Sequence, residues 1–324
     1  MKIGIPAALF GAYHFGYWKQ FFTRLGWETV SSGQSTKAMA DCGGKMIPPE
    51  FCAPVKLFFG HVMALAPQDA DLILIPRMHA SGNRNFFCPK LIGLPDMVRY
   101  VAGIPEDRLY SPEIACNGLD LRIIKPPPRP IPAPVCKLTE LATRRYWRQV
   151  LNQCRSKRLT LPEAFETISK ISHPASQPDG IKSLRIGLIG YAYNLYDPFL
   201  SKGIINLLTR QGVAVHTWEM LNPPQIEARL QGLTRPLFWN FGRILLGAGL
   251  HFLKAPEIDG VIYVSSFGCG PDSVSMKLLS LEAADCGKPL LQLNLDEHSE
   301  DGHLRTRLEA FTDMLAERKE GRSA

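Results

Sequence analysis

Three short stretches place a proline within two residues of a cysteine: Phe51-Cys52-Ala53-Pro54, Phe87-Cys88-Pro89-Lys90 and Gly268-Cys269-Gly270-Pro271. Proline is tolerated in the first turn of a helix because its missing N–H would be unpaired there anyway, so each spelling predicts a cysteine at or just before a helix start. A thiol in that position faces free backbone donors and the positive end of the helix dipole, which favour a thiolate and an anionic inorganic group. Three thiolates satisfy three irons of a 4Fe–4S cluster and leave the fourth open to a substrate or an exogenous ligand. The same residues allow two plainer outcomes. Each cysteine is also a good small buried hydrophobe, and the three together with His61 or Cys42 would make a tetrahedral zinc set.

The other cysteines, Cys42, Cys116, Cys136, Cys154 and Cys286, lack this pattern, and no C-x-x-C pair occurs among the eight. They are expected in the core or incidentally on the surface, with Cys42 as a reserve ligand. Lys56 and Lys90 follow their cysteines closely and would raise the potential of an anionic cluster or grip a phosphate or thioester. Arg77 and Arg243 are similar candidates, with Arg77 better placed because it sits at a strand end. Ser265 and Ser266 are expected to donate hydrogen bonds to cluster sulfides. Asn194, Glu297 and His298 follow apolar runs and are candidates for substrate orientation or acid–base work. Asp197 before Pro198 reads as a helix N-cap, and Asp272 as a first-turn acid favoured by the helix dipole.

Two halves of the 324-residue chain must position these groups. Lys2-Ile3-Gly4-Ile5-Pro6 and Arg185-Ile186-Gly187-Leu188-Ile189-Gly190 each read as a buried strand, followed by a helix (Trp18–Leu25 and Phe199–Arg210) and a second strand opening on glycine. Asp71–Pro76, Asp259–Val264 and Pro289–Asn294 are continuous apolar runs of the kind that form parallel strands covered on both faces. The expected fold is α/β, with two doubly wound Rossmann-like domains built on parallel sheets and the iron–sulfur site in the cleft between them, where ligands of open sheets bind. The domains are expected at 1–125, carrying Cys52 and Cys88, and at 183–324, carrying Cys269. Residues 126–182 form a connector that runs from an extended proline-rich stretch into a helical stretch at about Lys137–Lys170 and then a polar SQPDG linker.

A net charge of +7 without a block of like charges gives no nucleic-acid arm. No window offers the roughly 18 apolar residues of a membrane span. Gly4 and Pro6 break any signal-peptide helix, so a cytoplasmic location is expected. No G-x-x-x-x-G-K-S/T loop occurs, which places any ATP hydrolysis on a partner.

Beyond these local signals, IGIPAALFGAYHFGYWKQFFTRLGWETVSS, FCAPVKLFFGHV, IPRM, FFCPKLIGLPDMVR, IGLIGYAYNLYDPFLS, FWNFGR, VSSFGCGPDS and LNLDEHSEDGHLRTRLEAF resemble the DUF2229, acyl-CoA dehydratase activase-related family. That family is similar to the D-component subunits of 2-hydroxyacyl-CoA dehydratases and to double-cubane cluster proteins. The resemblance implies that Cys52, Cys88 and Cys269 hold a 4Fe–4S cluster. It also implies an anaerobic, low-potential electron-transfer system fed by a separate iron–sulfur ATPase activator of the acetate and sugar kinase fold. A homologous subunit and an acyl-CoA substrate are further implied partners. The activity expected is that of a dehydratase or reductase component, or else of a non-catalytic cluster carrier or assembly subunit.

Overall fold

The structure, a computed structural model, describes residues 1–79, 86–117, 120–126, 131–169, 184–233 and 237–323. The chain divides into two compact units, one of Met1–Leu151 with Leu237–Phe241 and the other of Asn152–Pro236 with Gly242–Ala324. The SQPDG linker and residues 127–130 of the proline run lie outside the described residues.

In the first unit, β1 (Lys2–Ile5), β2 (Glu28–Ser31), β3 (Leu72–Leu74) and β5 (Leu109–Tyr110) form a parallel sheet in the order β2-β1-β3-β5. Strand β4 (Arg77–His79) joins a separate small sheet, β4-β6-β7, with β6 (Glu113–Asn117) and β7 (Asp120–Lys125). The β6–β7 pair is antiparallel with an irregularity at Glu113/Ile114, a feature the parallel plan did not include. Helix α1 spans Phe10–Arg24, eight residues earlier than its apolar pattern suggested. Gly11 permits this, because a Cβ there would lie 2.1 Å from the Pro6 carbonyl oxygen. Trp18, Phe21 and Phe22 from α1 pack with Tyr110 into a buried aromatic core.

Helices α2 (Lys37–Met46) and α3 (Ala53–Leu65) form a hairpin between β2 and β3. Two glycines let their backbones nearly touch. A Cβ at Gly43 would fall 1.7 Å from the Lys56 carbonyl oxygen, and one at Gly60 2.0 Å from that of Met39. The short helices α4 (Pro89–Ile92) and α5 (Leu94–Val101) follow β4, and α6 (Ala133–Lys157) follows β7.

The second unit repeats the sheet plan at greater length. Its strands β8 (Leu184–Gly190), β9 (Val213–Thr217), β10 (Gly260–Ser266) and β11 (Leu290–Leu295) are all parallel, in the order β11-β10-β8-β9. Every residue of β10 is buried, as a strand covered on both faces requires. Ile186, Leu188, Ile262, Val264, Leu293, Leu308 and Phe311 share one buried cluster, each such side chain contributing about 1.5–3 kcal/mol by leaving water.

Two expected helices are broken in two. Arg158, at φ 55°, separates α6 from α7 (Leu161–Ser169). Lys202 and Gly203, both left-handed, divide the Phe199–Arg210 stretch into α9 (Pro198–Ser201) and α10 (Ile204–Arg210), after the short α8 (Ala192–Tyr196). The remaining helices are α11 (Pro223–Leu230), α12 (Asn240–Lys254), α13 (Gly270–Cys286) and α14 (Asp301–Ser323). Among the described residues, no helix is long and apolar enough to cross a membrane.

Candidate functional site

Each of the three proline-marked cysteines is a helix N-cap: Cys52 of α3, Cys88 of α4 and Cys269 of α13, each with proline in the first two helical positions. Their carbonyls accept the first helical hydrogen bonds, from Val55 N (3.0 Å), Leu91 N (2.8 Å) and Ser273 N (3.0 Å) respectively. None of the three sulfurs makes a capping hydrogen bond. All three are partly exposed, and all eight cysteines of the chain are free of disulfides.

Cys52 and Cys88 belong to one electrostatic neighbourhood. Burial pushes the Cys52 thiol up, the Lys90 ammonium pulls it back, and the Cys88 sulfur raises it again. Lys90 is steadied over the Phe51 ring, 4.4 Å from its centroid, and donates to the Glu50 carbonyl at 3.4 Å. Lys56, by contrast, is buried within α3. Cys116, Cys136 and Cys154 are buried, and burial raises all three thiols, Cys154 to about 12, which makes them poor thiolate donors.

In the second unit, the chain adds β9 on one side of β8 and β10 on the other, so the strand order reverses between β8 and β10, and open α/β sheets bind ligands at the strand ends flanking such a point. Cys269 lies just past β10 on this edge. Gly268 before it has φ +76°, which only glycine adopts without strain, whereas a Cβ at Gly270 would meet nothing within 4 Å. Asn194 stands at the corresponding end of β8, where its Oδ1 accepts from Ser266 Oγ at 2.7 Å. Ser265 Oγ donates to the Ser266 carbonyl at 3.4 Å. The two serine hydroxyl protons expected to reach sulfides are therefore committed inside the protein, since a hydroxyl has one to give.

Asp272 adds an unexpected burial. It is the expected first-turn acid of α13, but fully buried at 0% exposure. Burial raises its carboxyl to about 6, and the hydrogen bond from Tyr263 works against that rise. Tyr263 Oη donates to Oδ1 at 2.5 Å, and Oδ2 has no hydrogen-bond partner.

The remaining candidates are placed as follows. Asp197 caps α9, accepting from Phe199 N (2.9 Å) and Leu200 N (3.1 Å). Glu297 and His298 follow edge strand β11, with His298 77% exposed and 4.0 Å from its neighbour's carboxylate. Arg77 is held by Asp96 in a two-pronged pair, both contacts at 2.8 Å, and Arg243 by Glu227 at 2.8 Å, so both guanidinium groups are already engaged by carboxylates.

His61 fits neither a zinc ligand nor a cation beside a cluster. It is fully buried, serines occupy both ring nitrogens, and burial lowers it to about 4. Sequence reasoning missed Glu219, in the single 3-10 turn Trp218–Met220 that follows β9. This side chain is buried, neither carboxyl oxygen has a hydrogen-bond partner, and burial raises it to about 7. Nothing in its local spelling, Thr217-Trp218-Glu219-Met220, separates it from a surface acid.

Among the described residues, no three His, Cys, Asp or Glu side chains gather as a metal site. Cys52 and Cys88 lie close enough for the Cys88 sulfur and the Lys90 ammonium both to act on the Cys52 thiol. Residues 2–221 match the DUF2229 family model, described as a CoA enzyme activase uncharacterised domain. The chain belongs to this family. Residues 250–315 also match the D-component of 2-hydroxyglutaryl-CoA dehydratase, which makes this DUF2229 chain a dehydratase-family component. No curated protein matches the chain.

Proposed function

We propose that this DUF2229 protein is the cluster-binding component of an ATP-dependent, low-potential reductase or 2-hydroxyacyl-CoA dehydratase-like system in the cytoplasm of anaerobic cells. Its ligands are Cys52, Cys88 and Cys269, its electron donor is a separate iron–sulfur ATPase activator of the acetate and sugar kinase fold, and its substrate is an acyl-CoA. The observation that carries this reading is that three partly exposed, disulfide-free cysteines each stand at a helix N-cap, two of them within electrostatic reach of each other and of Lys90.

When bound, a 4Fe–4S cluster supplies a one-electron carrier with one iron left open to a substrate oxygen. The chain's own residues do the rest. The sulfurs bind, the helix N-termini behind them offset negative charge, and Lys90 adds a positive charge that raises the reduction potential. The buried Asp272 carboxyl, three residues beyond Cys269, is held by Tyr263.

Anaerobic reconstitution with iron and sulfide tests the reading. Cys52→Ala, Cys88→Ala and Cys269→Ala should each lose the broad charge-transfer absorption, while Cys116→Ala and Cys154→Ala keep it. A full cluster in Cys269→Ala, or colourless wild-type protein carrying stoichiometric zinc, would refute it. Lys90→Met should keep the cluster and lower its potential.

A further inference from the structure

A second constellation lies on the same edge of the first unit's sheet and is independent of the cysteines. Just past β2, Ser32 Oγ lies 2.7 Å from His61 Nδ1, and Ser35 Oγ lies 2.8 Å from His61 Nε2. Ser32 Oγ also accepts the Ala7 N–H at 2.8 Å, from the loop after β1. The imidazole is thus gripped at both nitrogens, one of them through a hydroxyl fixed to the backbone of the neighbouring strand's loop. Ser32 and His61 are buried, whereas Ser35 is half-buried among exposed Gly33, Gln34, Thr36 and Lys37. Of the three side chains, only that of Ser35 reaches the surface.

A serine hydroxyl has two lone pairs and one hydrogen. If Ser32 spends both lone pairs, on Ala7 N–H and on His61 Nδ1–H, then Nε2 carries no proton and accepts from Ser35. This is the nucleophile, base and orienting group of covalent catalysis, with each neighbour in hydrogen-bond reach. In the first turn of α2, which begins two residues after Ser35, Thr36 Oγ1 takes the Met39 N–H, and the Lys37 and Ala38 N–H groups, which have no intrahelical acceptor, are the donors offered to a developing oxyanion.

We propose that Ser35 is an acyl-accepting nucleophile, with His61 as its base and Ser32 as the group that orients the imidazole, and that it acts on activated acyl esters. Ser35 Oγ forms a bond to the carbonyl carbon as its proton passes to Nε2. The bond from that carbon to the leaving oxygen breaks, and Nε2 returns the proton to it, releasing an alcohol. Water, deprotonated at Nε2, then cleaves acyl-Ser35 to the free acid. Burial keeps His61 a weak base, so the step is slow, and covalent labelling is a more sensitive readout than turnover.

The full chain is treated with a fluorophosphonate probe, and the labelled peptide is identified by mass spectrometry. One label on Ser35 is expected, absent in Ser35→Ala, slowed by about 100-fold in His61→Gln and several-fold in Ser32→Ala. Because His61 stays neutral, the labelling rate should be flat between about pH 5.5 and 8, whereas an ordinary imidazole base would lose half its effect near 6.5. An unlabelled wild type, a label on another residue, or an unchanged rate in His61→Gln would overturn the proposal. Should His61→Gln unfold, the two serine variants still decide. A label that survives Ser35→Ala, or a rate unmoved by Ser32→Ala, is equally fatal.

Discussion

The two units share a strand order and differ in how they treat charge. In each sheet the first strand lies inside, the second beside it at one edge, the third on its other side and the fourth beyond that. In the second unit the third strand leads almost directly into Cys269 and α13. In the first, the path from β3 runs through β4 before Cys88 heads α4, and Cys52 has no counterpart, because it belongs to the inserted α2–α3 hairpin. In the second unit burial raises the carboxyls of Asp272 and Glu219, whereas in the first it lowers His61, held between two serines. One sheet plan therefore carries two opposite responses to pH.

The largest expected effect breaks the first unit alone. Gly60→Ala forces a methyl group to within 2.0 Å of the Met39 carbonyl oxygen, which backbone can relieve only by separating α2 from α3. We expect a loss on the order of 3 kcal/mol, confined to amides of the first unit in hydrogen exchange. Equal loss in both units would show that they do not unfold separately.

Next comes the contrast in pH. Glu219 rises from 4.5 to about 7 on folding, so its share of stability is full below about pH 4.5 and is lost as pH climbs through 7. Asp272, raised from 3.8 to about 6, acts in the same direction at lower pH. His61 is lowered from 6.5 to about 4, so its share is full above 6.5 and disappears as pH falls toward 4. Glu219→Gln should therefore stabilise the second unit at pH 8, by up to roughly 3 kcal/mol, and flatten its pH dependence. Denaturant melts at pH 5 and 8 read this directly, and a variant as pH-sensitive as the wild type would remove Glu219 from the account. His61→Gln should flatten the acid side of the first unit instead.

The smallest effects lie at the caps. Thr36 accepts the Met39 N–H at 3.2 Å at the start of α2, and Asp197 serves α9 in the second unit. Thr36→Ala and Asp197→Ala should each cost about 1 kcal/mol in chemical denaturation. A loss much above that for Asp197→Ala would point to a further role for its buried carboxylate.

What could be read from the sequence was local. Apolar runs such as Val261-Ile262-Tyr263-Val264 announce buried strands, and a proline one or two residues past a cysteine announces a helix start, because each signal is complete within a few residues. The small β4-β6-β7 sheet escaped notice because its strands are three to six residues long and lack a sustained period. The state of His61 depends on serines 29 and 26 residues away, and Asp272 has the same spelling whether its helix start faces water or a buried tyrosine. Burial and partnership at long range decide chemistry, and neither is written beside the residue it controls.

The segment Leu237–Phe241 has a consequence for synthesis. Although it follows much of the second unit in sequence, it completes the first: Phe86 bridges to Trp239, Asn240 Nδ2 donates to the Cys116 carbonyl at 3.1 Å, and the Phe241 ring stacks on Tyr13 at 5.2 Å. A ribosome adding about 5–20 residues per second leaves Leu151 behind several seconds before it reaches Phe241. During that interval Tyr13 and Phe87 wait without the Phe241 ring that packs on both, so the aromatic packing of the first unit is completed only after much of the second has been made.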